Sequence, residues 1–333
     1  MIIHKFTTHV LDKTTDTPIL NDYEGRINPE VDKFLQKIIK KCIKSQDLRK
    51  AKFKDYYNNT VNKCCEAIIY NESTFLENSK EIAAYLFDII KLDVGSISGD
   101  LIICLFTIKD EKYIAVMKLD YKNLYNHSID FENDKFNIQM ISNEIGITSN
   151  HNIKQAAIIS LGGLNDEYHL RVLDKDSEKN DTKSTFLDEF LNIEKVIDDK
   201  FKTKTFIGAA HTWVTNALSN DIKQSEDIRS IMNYMLKENS VMDLDTFVDV
   251  AIKAEDLKES FKEYMEDREI NHFNIDKNYV EQKLKHRRIK TDNGFDLKAR
   301  LEDFEDPAKY EVKQNPNGSI NLTIKNVKFY EEK

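Results

Sequence analysis

The chain has 333 residues and a net charge of −9, with 40% hydrophobic and 32% charged residues; this suffices for one large or two ordinary domains and excludes a disordered chain. Nine glycines and four prolines fall far below the usual share of about 12%, which excludes long flexible linkers and low-complexity tails. The acidic balance excludes a protein that coats nucleic acid over its whole surface, but it permits a local basic face, because the field acts within about a Debye length.

Residues 2–11, rich in Ile, Phe, Thr and Val, predict an opening strand. Asn28-Pro29-Glu30 supplies a cap, a first-turn proline and a first-turn acid, so a helix begins there. Val31, Phe34, Leu35, Ile38, Ile39 and Cys42 share one face of it, and Lys33, Lys37, Lys40, Lys41 and Lys44 the other. Arg49, Lys50, Lys52 and Lys54 add further positive charge. A second helix is expected over Thr60–Tyr70. A third is expected from Ser79, its cap, with Ile82, Ala83, Leu86, Ile89 and Ile90 inward.

SGDLIICLFTI (98–108) and KYIAVMKLDY (112–121) predict an antiparallel hairpin turning at Lys109-Asp110-Glu111. The unbroken apolar run Leu101–Phe106 predicts a central strand buried on both faces. Strands near 127–131 and 135–141, with a turn at Glu132-Asn133-Asp134, and near 153–160 and 166–173, with Gly162-Gly163 between, complete a meander of five or six strands. The early helices are expected on one face of it. The charged segment Asp174–Ser184 marks a domain boundary. Helices are expected at 184–192, 193–216, 220–239, 243–254, 256–268 and 277–287. Asp243 and Asp245 read as capping or first-turn acids, and Ile193, Val196, Ile197 and Phe201 as a buried stripe. The last 45 residues return to strands, with turns at Asp292-Asn293-Gly294 and Asn317-Gly318. The fold class is thus α+β: an N-terminal domain (1–175) with an antiparallel meander and packed helices, then a helical domain (184–333) closed by a C-terminal β-hairpin region.

Between 283 and 300 seven basic residues, Lys283, Lys285, Arg287, Arg288, Lys290, Lys298 and Arg300, meet two acids, Asp292 and Asp296. Lysine makes up 41 of the 49 basic residues, so arginine is the better marker, and three of the eight arginines lie here. Cations held on a helix-to-hairpin frame suit phosphate contacts, which give affinity without reading sequence. The competing reading is a solvated surface in a lysine-rich chain. The helix face bearing Lys37, Lys41 and Lys44, with Lys50, Lys52 and Lys54, is a second candidate against the same alternative. Phe53, Tyr56 and Tyr57 nearby could stack on bases or pack in the core.

Other chemistry is thinly supported. Cys64 and Cys65 are adjacent, which suits neither zinc nor a disulfide, and His4 with His9, or His272 with His286, lacks a second ligand pair. No metal or cofactor is expected, and the four cysteines are expected reduced. The start lacks a long apolar leader segment and no apolar run reaches 18 residues, so neither secretion nor a membrane span is expected. Glu311-Val312-Lys313, with Asp306 before it, matches the E-x-K element of metal-dependent nucleases. The similar triplets Asp256-Leu257-Lys258 and Asp296-Leu297-Lys298 make that match cheap in this composition. The acidic outer faces expected over 184–275 suit a basic protein partner, so an interaction module is the main alternative function.

SGDLIICLFTIKDEKYIAVMKLDYKNLYNHSID (98–130) and the segment from Thr291 to Lys333 resemble the 37-kDa nucleoid-associated protein family of bacteria. HKFTTHVLD (4–12) and YHLRVLDK (168–175) fit the same pattern in the same order, while 180–280 matches only as a helical pattern. The resemblance implies a cytoplasmic protein of the nucleoid that binds double-stranded DNA and is not an enzyme. It names no contact residue, so the candidate sites rest on charge and geometry. A homodimer is expected, since two linked modest patches gain from effective concentration.

Overall fold

A computed structural model describes residues 1–132, 135–145, 147, 152–160, 169–180 and 182–331. The chain forms two compact units, Met1–Val196 and Ile197–Lys333. The first contains β1 (Ile2–Leu11), α1 (Pro29–Ile43), β2 (Arg49–Phe53), α2 (Thr60–Tyr70), α3 (Phe75–Leu92), β3 (Gly99–Ile108), β4 (Glu111–Asp120), β5 (Lys122–Glu132), β6 (Lys135–Ile145), β7 (Gln155–Ser160), β8 (Leu170–Asp174), α4 (Lys175–Asn180) and β9 (Ile193–Lys195). Seven strands form one antiparallel sheet in the order β1-β3-β4-β7-β8-β2-β9. The β3–β4 turn places Lys109 and Asp110 at φ 49° and 68°, the left-handed pair that matches strand twist in a two-residue hairpin.

β3 is buried on both sides, and each side has its own helical cover. Ile102, Cys104 and Phe106 pack with Leu35, Ile38, Ile39 and Cys42 of α1. Leu101, Ile103 and Leu105 pack with α2, α3 and the π-helical turn Thr185–Phe190. This corrects the expectation of helices on one face: a strand apolar on both sides needs cover on both. α3 starts at Phe75, so Ser79 is not its cap. Ser79 is buried inside the helix, donates to the Leu76 carbonyl at 2.7 Å and lies 3.2 Å from His9 Nε2. β5 and β6 leave the sheet and pair with each other. Asn133, Asp134, Gly162 and Gly163, predicted as turn residues, lie outside the described residues, as do 166–168.

Residues 184–196, assigned above to the helical half, pack into the first unit through Phe186, Leu187, Phe190, Leu191 and Ile193. The predicted helix 193–216 is instead β9 followed by α5 (Asp199–Ala217) in the second unit. Asp198 caps α5, accepting from the Phe201 amide at 2.9 Å, and so ends the helix upstream. The predicted stripe dissolves with it: Ile193 is buried in the sheet and Ile197 is 53% exposed.

The second unit continues with α6 (Ile222–Glu238), β10 (Val241–Asp243), α7 (Leu244–Ala251), α8 (Glu255–Glu266), β11 (His272–Asn274), α9 (Lys277–Lys283), β12 (His286–Lys290), β13 (Asp296–Arg300), α10 (Leu301–Glu305), β14 (Tyr310–Gln314) and β15 (Ile320–Ile324). Asp243 caps α7 as expected, accepting from the Thr246 amide at 2.8 Å. Phe206, Trp213, Phe247 and Phe261 centre its core, with Trp213 set edge-on to Phe261. Gly294 and Gly318, at φ +92° and +82°, turn the β12–β13 and β14–β15 hairpins.

Candidate functional site

β12 and β13 pair in the register His286↔Arg300, Arg287↔Ala299, Arg288↔Lys298, Ile289↔Leu297 and Lys290↔Asp296. Because side chains alternate across a strand, every second pair lands on the same side. His286, Arg288, Lys290, Asp296, Lys298 and Arg300 share one side and are all exposed. Arg287, Ile289, Leu297 and Ala299 share the other and are half-buried. The ribbon therefore sorts four cations and a histidine onto one open face against a single carboxylate. Lys283 ends α9 and Lys285 lies in the connection to β12, both exposed.

Of the seven predicted contacts, Arg287 is the one turned away. Its terminal nitrogens donate to the two carboxylate oxygens of Glu226 on α6 at 2.7 Å each, and its guanidinium lies 5.5 Å from the Phe304 ring centre. Arg229 donates to the same carboxylate at 2.9 Å. Burial pushes the Glu226 carboxyl up, but the two guanidiniums outweigh it and hold the group below its ordinary value. Burial, reinforced by Arg229, Lys283 and Arg287, brings His211 down to about 4, so it is neutral at pH 7.

The exposed arginines have looser partners. Arg288 donates through Nε to Asp296 at 2.6 Å, and Arg300 donates to Asp303 at 3.0 and 3.2 Å. Asp303 also accepts from Lys309 at 2.8 Å, and these cations lower it to about 2. Exposed pairs of this kind contribute little in water, so a phosphate can take the place of the carboxylate. Among the described residues, Lys283, Lys285, Lys290 and Lys298 have no ion pair.

The first unit carries the second basic face. Asn28 caps α1 as predicted, accepting from the Val31 amide at 2.9 Å. The apolar side of α1 seats on the sheet, leaving Lys33, Lys37, Lys40, Lys41 and Lys44 exposed. Lys50 and Lys52 are also exposed, but on a strand. Ala51 and Phe53 face α2 and α3, so alternation turns Lys50 and Lys52 toward the α1 side. Arg171 stands directly opposite Lys50 in β8 and is exposed between buried Leu170 and Val172. Lys54 is exposed just beyond β2. Of the nearby aromatics, Phe53 is buried, Tyr56 donates to Glu66 at 2.7 Å, and Tyr57 is 82% exposed.

Three residues that shape these sites escaped the sequence reading. His286 follows from the i, i+2 spacing with Arg288 and Lys290, once that stretch is read as a strand rather than as the end of a helix. Arg171 follows from being polar inside an apolar strand. Glu226 is 61 residues from Arg287 and carries no local signal. Elsewhere, Glu311 lies on a strand as predicted and its carboxylate accepts from Lys325 at 2.7 Å. All four cysteines are buried, and no cluster of three His, Cys, Asp or Glu able to hold a metal occurs among the described residues. No helix among them is long and apolar enough to cross a membrane.

Residues 8–332, nearly the whole chain, match the family described as nucleoid-associated protein YejK. No curated protein matches the chain.

Proposed function

Because the chain belongs to this family of nucleoid-associated proteins, we propose that it binds duplex DNA in the cytoplasm, on the nucleoid, without enzymatic activity and with little sequence preference. The observation that carries the reading is the sorting of Arg288, Lys290, Lys298 and Arg300 onto one exposed face of the β12–β13 ribbon. Residues two apart on a strand stand about 6.6 Å apart, and a two-stranded ribbon is narrow enough to follow a groove of DNA. Side chains so spaced meet backbone phosphates, which give affinity and orientation but carry no sequence code. The acidic remainder of the surface confines contact to the basic faces. The α1 face with Lys37, Lys41 and Lys44 and, beside it, Lys50, Lys52 and Arg171 supplies further contacts. A dimer is part of the reading, because linking two modest patches raises their joint affinity.

The test is a salt titration of duplex-DNA binding by fluorescence anisotropy. Four ribbon contacts predict a log–log slope at least as steep as about −3.6. Replacing Arg288, Lys290, Lys298 and Arg300 with alanine flattens it by about that amount. An unchanged slope and affinity in this variant would remove the ribbon from the interface.

A further inference from the structure

β5 and β6 form a second ribbon, with eleven residues in each strand, about 35 Å long at strand rise. The register His127↔Met140, Ile129↔Ile138 and Phe131↔Phe136 puts three successive alternate pairs on one side. There Ile129, Phe131, Phe136, Ile138 and Met140 are 56, 59, 73, 65 and 77% exposed. The rings of Phe131 and Phe136 meet at 4.8 Å. The opposite side pairs Asn126 with Ile141, Ser128 with Gln139 and Asp130 with Asn137, so five of these six residues are polar. An isolated two-stranded ribbon is marginal in water, and a contiguous apolar row on one marks an association surface.

We infer that this apolar face is a self-association surface, covered by the same face of a second copy of the chain about a two-fold axis. The area fits: five such side chains expose on the order of 700 Å², close to the roughly 800 Å² that each partner gives to a standard interface. The symmetry fits, because a two-fold contact brings one patch against itself. The charge fits too. Residues 122–145 carry Lys122 and Lys135 against Asp130, Glu132, Asp134 and Glu144, with no arginine, so this ribbon offers no surplus cations to phosphates, unlike β12–β13. The surface is independent of the proposed DNA contacts.

The test is the mass of the full-length protein by light scattering over a concentration series. The wild type is expected as a dimer. Phe136→Thr/Ile138→Thr/Met140→Thr keeps strand-forming residues and raises the dimer dissociation constant on the order of a hundred-fold. A second measurement uses oxidative cross-linking. Ile138 belongs to the central pair of the patch, nearest the two-fold axis, and the native cysteines are buried. Ile138→Cys is therefore expected to give a disulfide-linked dimer, whereas Ser128→Cys, on the polar side, is not. A wild type that stays monomeric at high micromolar concentration overturns the inference, as does a dimer unaffected by the triple substitution. DNA affinity that falls in a monomeric triple variant, relative to a monomeric wild type, reassigns the ribbon to DNA and also overturns it. DNA binding is scored separately by the salt slope of the β12–β13 variant.

Discussion

On the proposed reading the two sides of the β12–β13 ribbon separate DNA binding from stability, and Arg287 against Arg288 is the sharpest contrast. Removing the four exposed cations would remove the four proposed phosphate contacts. Raising salt fourfold, from about 50 to about 200 mM, then costs the wild type about 150-fold more affinity than the variant. Arg287→Ala acts on the other side. It strips two of the three guanidinium hydrogen bonds from Glu226. The two side chains remain 23% and 27% exposed, so the penalty falls below that of a fully buried pair, at about 2 kcal/mol. Trp213, the single tryptophan, is buried in the second unit and reports its unfolding in urea. Arg287→Ala should lower that unfolding midpoint and leave the salt slope within about one contact of wild type. The fourfold variant should do the reverse. If Arg287→Ala flattens the slope while the fourfold variant keeps it, the assignment of faces is wrong.

Lys37→Glu/Lys41→Glu/Lys44→Glu on α1 should flatten the salt slope by a further two to three units or so in the same anisotropy assay; a slope identical to wild type would leave that face merely solvated. His9 is buried and, through burial first and the charge of Lys80 second, is lowered to about 4. Its folded value lies below the unfolded 6.5, so its contribution is fully present above pH 6.5 and is lost as pH falls toward 4, on the order of 3 kcal/mol in all. His9→Asn should give a less stable protein at pH 7 with a flatter pH dependence of the urea midpoint between those values; parallel curves would refute it. A Cβ on Gly99 would lie 2.4 Å from the Leu119 carbonyl oxygen. Gly99→Ala should therefore destabilise the first unit by about 1 to 3 kcal/mol, read from chemical denaturation followed by circular dichroism.

Local signals were legible wherever one residue type settles a backbone choice. Asn28-Pro29 started α1, and the Asn-Gly pairs turned both C-terminal hairpins. The two-sided burial of Leu101–Phe106 was also legible, and a helical layer on each side is its physical consequence. What sequence could not supply was partnership at distance. β2 reads as one more lysine-rich stretch, because Lys50 and Lys52 dominate it, while the alternation of Arg49, Ala51 and Phe53 gains meaning only beside β8 and β9. The basic segment was visible as charge, but which cations face outward depended on strand register. Among the apolar residues of the C-terminal segment, Phe295 and Ile324 are 65% and 60% exposed, whereas Leu301 is buried and Phe304 stands edge-on to Tyr310.

The placement of β2 also governs how the first unit is made. Lys50 pairs with Arg171 and Lys52 with Glu194, about 120 and 140 residues later in the chain. During synthesis β1, β3 and β4 can pair early, but β2 has no strand to join until almost the whole unit has been translated. Its apolar side, Ala51 and Phe53, is open to other chains until then, and Lys50 and Lys52 on the alternate positions act as gatekeepers that keep a waiting strand soluble. The same lysines that enlarge the basic face thus protect the nascent chain, so substitutions there should be scored for yield of folded protein as well as for affinity.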